Sequence, residues 1–156
     1  MQALHAVASS LSDPAVRWSA RDIPLSHARH ICGRVAWTPP PQSIPVESRQ
    51  EAFALAFLLA QPDLVAVQAQ PFTLSYMDGG EPRRYTPDFL VIYDRLSRVL
   101  THLGFGLWTV VEVKPVARLQ DEGPHILRRL EVIHATLGFA AVCLTEREMG
   151  EGRAQS

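Results

Sequence analysis

Leu107-Trp108-Thr109-Val110-Val111-Glu112-Val113-Lys114-Pro115 is a short run rich in valine and leucine, closed by a residue that cannot donate a backbone hydrogen bond. It reads as a buried strand that Pro115 brings to an end. Downstream, Gln120 to Thr136 carries apolar residues at Ile126, Leu127, Leu130, Ile133 and Leu137, with Gly138 as a C-terminal signal, the pattern of an amphipathic helix. Phe139 to Leu144 follows as a second short strand. Strand, helix, strand in that order predicts a parallel crossover at the end of the domain.

Upstream, the prolines of Thr38-Pro39-Pro40-Pro41-Gln42-Ser43-Ile44-Pro45 exclude a regular helix and predict an extended or looping approach to the next element. That element is a helix. Ser48 and Glu51 stand at capping-box spacing, and Ala52, Phe53, Ala56, Phe57, Leu58 and Leu59 form its apolar surface up to Gln61-Pro62. Leu64 to Gln68, Pro71 to Met77 and Asp88 to Tyr93 read as strands, and the turn between Met77 and Tyr85 favours an antiparallel hairpin joining the last two. The expected fold class is α/β, a mixed sheet flanked by helices. A weak helix is expected around Leu4 to Leu11, stopped by Asp13-Pro14, and a polar tail beyond Thr145.

With 156 residues the chain can form one domain with a real core. Its 47% apolar and 20% charged residues describe a globular chain rather than a disordered one. The net charge of -1 gives no general attraction to nucleic acid, so a DNA-binding face would have to be built locally. Cys32 and Cys143 are too few and too far apart for a zinc site, and His27, His30, His102, His125 and His134 form no tight metal motif. No apolar run is long enough for a membrane span and no signal-like N-terminus is present, so a reduced, cytoplasmic setting is expected.

Of the fifteen Lys and Arg residues, all but Lys114 are arginine. That lysine lies two residues after Glu112, and on an extended strand the two share a face. Asp88, after Pro87, lies at the start of Phe89-Leu90-Val91-Ile92-Tyr93. Two carboxylates at neighbouring strand ends suit a hard, oxygen-preferring cation, with Mg2+ the natural choice, while an adjacent amine can orient water or stabilise charge on a phosphate. Taken singly, Asp88 reads equally as a turn residue, and Glu112 with Lys114 as a solvent-facing pair. Glu51 reads as a helix cap or as a third carboxylate, and Gln70, before Pro71, as a turn residue or a residue at the site edge.

The ordered set Glu47-Ser48-Arg49-Gln50-Glu51, Gln70-Pro71-Phe72, Tyr85-Thr86-Pro87-Asp88-Phe89, Glu112-Val113-Lys114-Pro115 and Gly138-Phe139 through Leu144-Thr145-Glu146 resembles the N-terminal catalytic domain of TnsA-type transposon-end endonucleases. The resemblance covers about residues 33–148, leaving residues 1–32 as an extension and 149–156 as a tail. It implies a restriction-endonuclease-like fold of the PD-(D/E)xK superfamily. It further implies a Mg2+-dependent DNA endonuclease, with Mn2+ as a substitute, that leaves 5′-phosphate and 3′-hydroxyl ends. Catalytic roles for Glu51, Asp88, Glu112 and Lys114 come with it, the three carboxylates as metal ligands. The implied reaction is cleavage at the 5′ ends of a mobile element, beside a DDE recombinase and a AAA+ regulator. Longer members carry a further domain after the catalytic one, and this sequence ends shortly after it.

The implied substrate is double-stranded DNA, for which Arg49, Arg83, Arg84, Arg118, Arg128 and Arg129 are the candidate phosphate contacts. A homodimer is a further expectation. The competing reading is a noncatalytic DNA-binding or assembly module that keeps a nuclease fold. Neither cysteine has a partner set for thiol catalysis, and Cys143 reads as a small buried hydrophobe.

Overall fold

The computed structural model describes residues 14–18 and 47–154, with side chains described through residue 150. Its elements begin with strand β1 (Val16–Trp18), helix α1 (Arg49–Ala60) and strands β2 (Leu64–Ala69), β3 (Phe72–Asp78), β4 (Glu81–Tyr85) and β5 (Phe89–Tyr93). Helix α2 (Arg98–His102), strand β6 (Trp108–Val113), a 3-10 turn (Val116–Arg118), helix α3 (Leu119–Leu137), strand β7 (Ala140–Leu144) and helix α4 (Glu146–Ala154) complete the order. The expected helix at Leu4 to Leu11, the proline segment Thr38 to Pro45, Cys32, His27 and His30 lie outside the described residues.

The fold is mixed α/β and is built on two sheets, one in the order β2-β5-β6-β7 and one in the order β1-β3-β4. In the first, β5 pairs antiparallel with both β2 and β6, and β6 pairs parallel with β7 across α3, as the strand-helix-strand order requires. Lys114 N–H still donates to Leu144 O at 3.0 Å, so the ladder runs one residue past β6 before Pro115 ends it.

Alternation along β5, β6 and β7 divides the core in two. Phe89, Val91, Val111, Val113, Val142 and Leu144 pack with Ala54, Leu55 and Leu58 of α1, with Leu100 of α2 and with Met149 of α4. Leu90 and Val110 face the other way, against Ile133 and Leu137 of α3 and against Phe72, Leu74 and Tyr85 of the second sheet. Tyr93 ties strand to helix by donating its buried hydroxyl to Leu58 O at 2.9 Å.

Three expectations are corrected. The hairpin does not join Pro71–Met77 to Asp88–Tyr93. Strand β3 instead turns back through Gly79 (φ 58°) and Gly80 (φ 83°) into β4, while β5 crosses into the other sheet. Two consecutive positive φ values make the tight two-residue turn that matches strand twist, and glycine adopts them without a Cβ penalty. The polar C-terminal segment forms helix α4 across the 148/149 boundary, anchored by Met149, which is 4% exposed. Leu127 does not belong to the buried stripe of α3 and is 59% exposed, leaving Ile126, Ile133 and Leu137 as the fully buried positions.

Candidate active site

Asp88, Glu112 and Lys114 meet at one end of the four-stranded sheet because four strands align there. Ala69 faces Phe89 and Phe89 faces Val111, so one further step of register sets Asp88 between Gln70 and Glu112. Glu112 in turn pairs with Cys143. Gln70, Asp88, Glu112 and Cys143 thus form a single row across β2, β5, β6 and β7. The row is fixed by backbone: Gln70 N–H donates to Asp88 O at 2.9 Å. Gln70 holds a left-handed backbone (φ 47°), a conformation that is strained for a residue with a side chain, and its amide nitrogen donates to Glu47 Oε1 at 2.8 Å.

Asp88 is held from below. Its Oδ2 accepts from the Val113 N–H at 2.7 Å, between Glu112 and Lys114. Glu112 is 2% exposed and its two oxygens differ sharply. Oε1 lies 3.4 Å from Lys114 Nζ and 3.7 Å from an Arg129 guanidinium nitrogen, whereas Oε2 is buried with no hydrogen-bond partner among the described residues. Burial raises the Asp88 carboxyl above the ordinary range; the Val113 N–H opposes that, Glu51 raises it further, Lys114 lowers it and Glu47 raises it. Burial also raises Glu112, against the lowering effects of Lys114 and Arg129. Burial thus disfavours the charged form of both carboxyls, although two cations stand beside Glu112.

Glu51 sits on the first turn of α1, where its N–H donates to Ser48 Oγ at 3.0 Å, the cap expected from the sequence. Its own Oε2 accepts from Glu47 N–H at 2.8 Å, one residue before the cap. Glu51 acts on Asp88 through space, but among the described residues no three His, Cys, Asp or Glu side chains form a ready-made metal-holding group. The structure brings together Asp88, Glu112 and Lys114, with Gln70 at their edge, and leaves Glu51 engaged in its capping turn.

The arginines separate. Arg83 and Arg84 are adjacent on β4 and so point to opposite faces; Arg83, opposite Tyr76, shares the face of Tyr85. Arg118 pairs with Glu122 at 3.2 Å on the surface, and Arg128 reaches Met77 O at 3.5 Å, bracing the hairpin against α3. Arg129 lies over the Tyr85 ring, 4.9 Å from its centroid. Arg49 lines a separate cleft of about 320 Å³ between α1 and α4, together with Gln50, Phe53, Glu146, Met149 and Gly150. That cleft lacks the carboxylate pair and the lysine.

Two contributors were not singled out from the sequence. Glu47 acts on Asp88 and receives the Gln70 amide, and its spacing of four from Glu51 was the available signal. Glu146 accepts from Gln50 Nε2 at 2.8 Å and from Val116 N–H at 3.1 Å, joining α1 and α4 to the loop after Lys114. Cys143 is only partly buried, and its thiol is pushed up to about 12, chiefly by burial and then by Glu112, which keeps it protonated and unsuited to nucleophilic work.

Among the described residues no helix is long and apolar enough to cross a membrane. Comparison of the chain with models of known protein families returned no match, and neither did comparison with curated proteins.

Proposed function

We propose that the chain is a divalent-metal-dependent endonuclease that hydrolyses phosphodiester bonds of duplex DNA. The observation that carries this reading is the Asp88–Glu112 pair beside Lys114, with a buried Glu112 oxygen that has no hydrogen-bond partner among the described residues. Hard carboxylate oxygens, one of them buried and without a hydrogen-bond partner among the described residues, fit Mg2+, or Mn2+ in its place. When bound, such an ion polarises water and offsets charge on the scissile phosphate.

The chain's own groups have separable tasks. Asp88, fixed by the Val113 N–H, and Glu112, through Oε2, would hold the ion directly, with Glu51 acting through water. Lys114, 25% exposed and restrained by Glu112, can reach solvent and donate to a phosphate oxygen as charge builds in the transition state. Arg83 and Arg128 would position the DNA backbone. The finer reading, cleavage at the 5′ ends of a mobile element with a DDE recombinase and a AAA+ regulator in a cytoplasmic setting, is supported by the sequence resemblance alone.

A second reading, a noncatalytic DNA-binding or assembly module, is favoured by one observation: among the described residues no three His, Cys, Asp or Glu side chains form a group placed to hold a metal ion. Nicking of supercoiled DNA separates the two. Wild type in Mg2+ or Mn2+ should nick, EDTA should stop it, and Lys114→Ala should slow it by roughly 10²-fold or more. DNA binding without cleavage by wild type in either metal would select the module instead.

A further inference from the structure

Arg129 was expected from the sequence to contact DNA phosphate, yet its guanidinium is turned inward. It lies 17 positions after Glu112 along the chain, on α3, and only 30% of its side chain is exposed. Three elements meet on it: the helix that carries it, the Tyr85 ring at the end of β4, and the Glu112 carboxylate on β6. Arginine commonly grips a carboxylate with two parallel N–H bonds, one to each oxygen. Here the contact is to Oε1, at 3.7 Å, and Lys114 lies 3.4 Å from that same oxygen. Both cations gather on one side of the carboxylate. The other oxygen is left buried and, among the described residues, without a hydrogen bond.

Resting on the nuclease reading above, we propose that Arg129 is a positioning residue. Together with Lys114 it fixes the rotation of the Glu112 carboxylate, so that Oε1 is held by the protein and Oε2 is presented to the metal. The Tyr85 ring keeps the guanidinium in place, and so couples the end of the β3–β4 hairpin, two residues before Pro87 and three before Asp88, to the orientation of Glu112. Lys114 alone does not supply this restraint, because it is a flexible amine and the group needed at the phosphate, whereas the Arg129 guanidinium is itself held over the Tyr85 ring. Outer partners of metal-binding carboxylates govern affinity on the scale of roughly 10–100-fold.

The test is Mn2+ binding to the full chain, read by electron paramagnetic resonance without DNA, for wild type, Arg129→Ala, Arg129→Lys and Arg95→Ala. Arg95 removes the same charge at the far end of β5 from Asp88 and serves as the control. The expected result is a Kd for Mn2+ raised roughly 10–100-fold in Arg129→Ala, partly restored in Arg129→Lys, and unchanged in Arg95→Ala. Wild-type affinity in Arg129→Ala would overturn the positioning role and leave the nuclease reading standing. Failure of wild type itself to bind Mn2+ would overturn both. Circular dichroism at the titration temperature establishes that each variant is folded, and if Arg129→Ala is not, the Lys variant decides: an affinity equal to wild type would then count against a role for the planar, ring-stacked guanidinium.

Discussion

Asp88 and Glu112 are neighbours across two antiparallel strands, and the atom that joins them is neither side chain: Asp88 Oδ2 accepts from the backbone N–H of Val113, the residue that follows Glu112. The same peptide stretch therefore orients one carboxylate and carries the other. Both are raised by burial, and the two cations beside Glu112 do not fully offset it.

Such raised carboxyls make the metal-free protein sensitive to pH. The folded state holds these protons more tightly than the unfolded chain, so the stability they contribute is complete below the unfolded value, ordinarily about 4, and is lost as pH rises through the raised folded value. Thermal unfolding in EDTA should show the midpoint falling across that window. At neutral pH, Glu112→Gln and Asp88→Asn should each unfold a few degrees higher than wild type, about 3 °C being what roughly 1 kcal/mol produces in a domain of this size. A lower midpoint in both would mean that the carboxylates stabilise the fold and that the site stores no charge for a ligand.

Glu51 has a capping task and a proposed catalytic one, and two substitutions part them. Ser48→Ala removes the acceptor for Glu51 N–H and should cost about 1 kcal/mol in chemical denaturation while leaving most of the cleavage rate. Glu51→Gln keeps an oxygen for the Glu47 N–H but loses the charge, and should cut the rate roughly 10²-fold with little change in stability. If the two variants lose activity only in proportion to stability, Glu51 is a cap.

Much of this arrangement was legible because it is local. Ser48 with Glu51 announces its helix within four residues, Gly138 (φ 72°) ends α3 as expected, and the apolar run into Glu112 forms the predicted strand. What stayed hidden has physical reasons. Glu81 to Arg84 are all exposed, so β4 shows no alternation, and its Pro82 argues against a strand. Strand β1 is three residues long and is set by pairing with β3, far away in sequence. Helix α4 did carry a signal that went unread: Thr145 N–H donates to Glu148 Oε2 at 2.8 Å, at capping-box spacing. Nothing in the sequence puts Arg129 on Glu112. That contact exists only once α3 is laid against the sheet.

Arg83 and Arg84 offer a geometric test of the proposed DNA-binding face. Arg83 shares its face of β4 with Tyr85, next to Arg129 and the site, and Arg84 is on the reverse. Arg83→Ala should weaken duplex binding and reduce the slope of log K against log salt by about 1, with Arg84→Ala close to wild type. Equal losses in both would place the DNA across the edge of β4 instead.

The central claim is that Asp88 and Glu112 hold a divalent cation, and anomalous scattering from crystals soaked in Mn2+ tests it most directly. The account predicts a peak within coordinating distance of Asp88 and of Glu112 Oε2, on the side away from Arg129, and no such peak in Glu112→Gln crystals. A well-occupied peak at another place in the chain, with none at this pair, would contradict it.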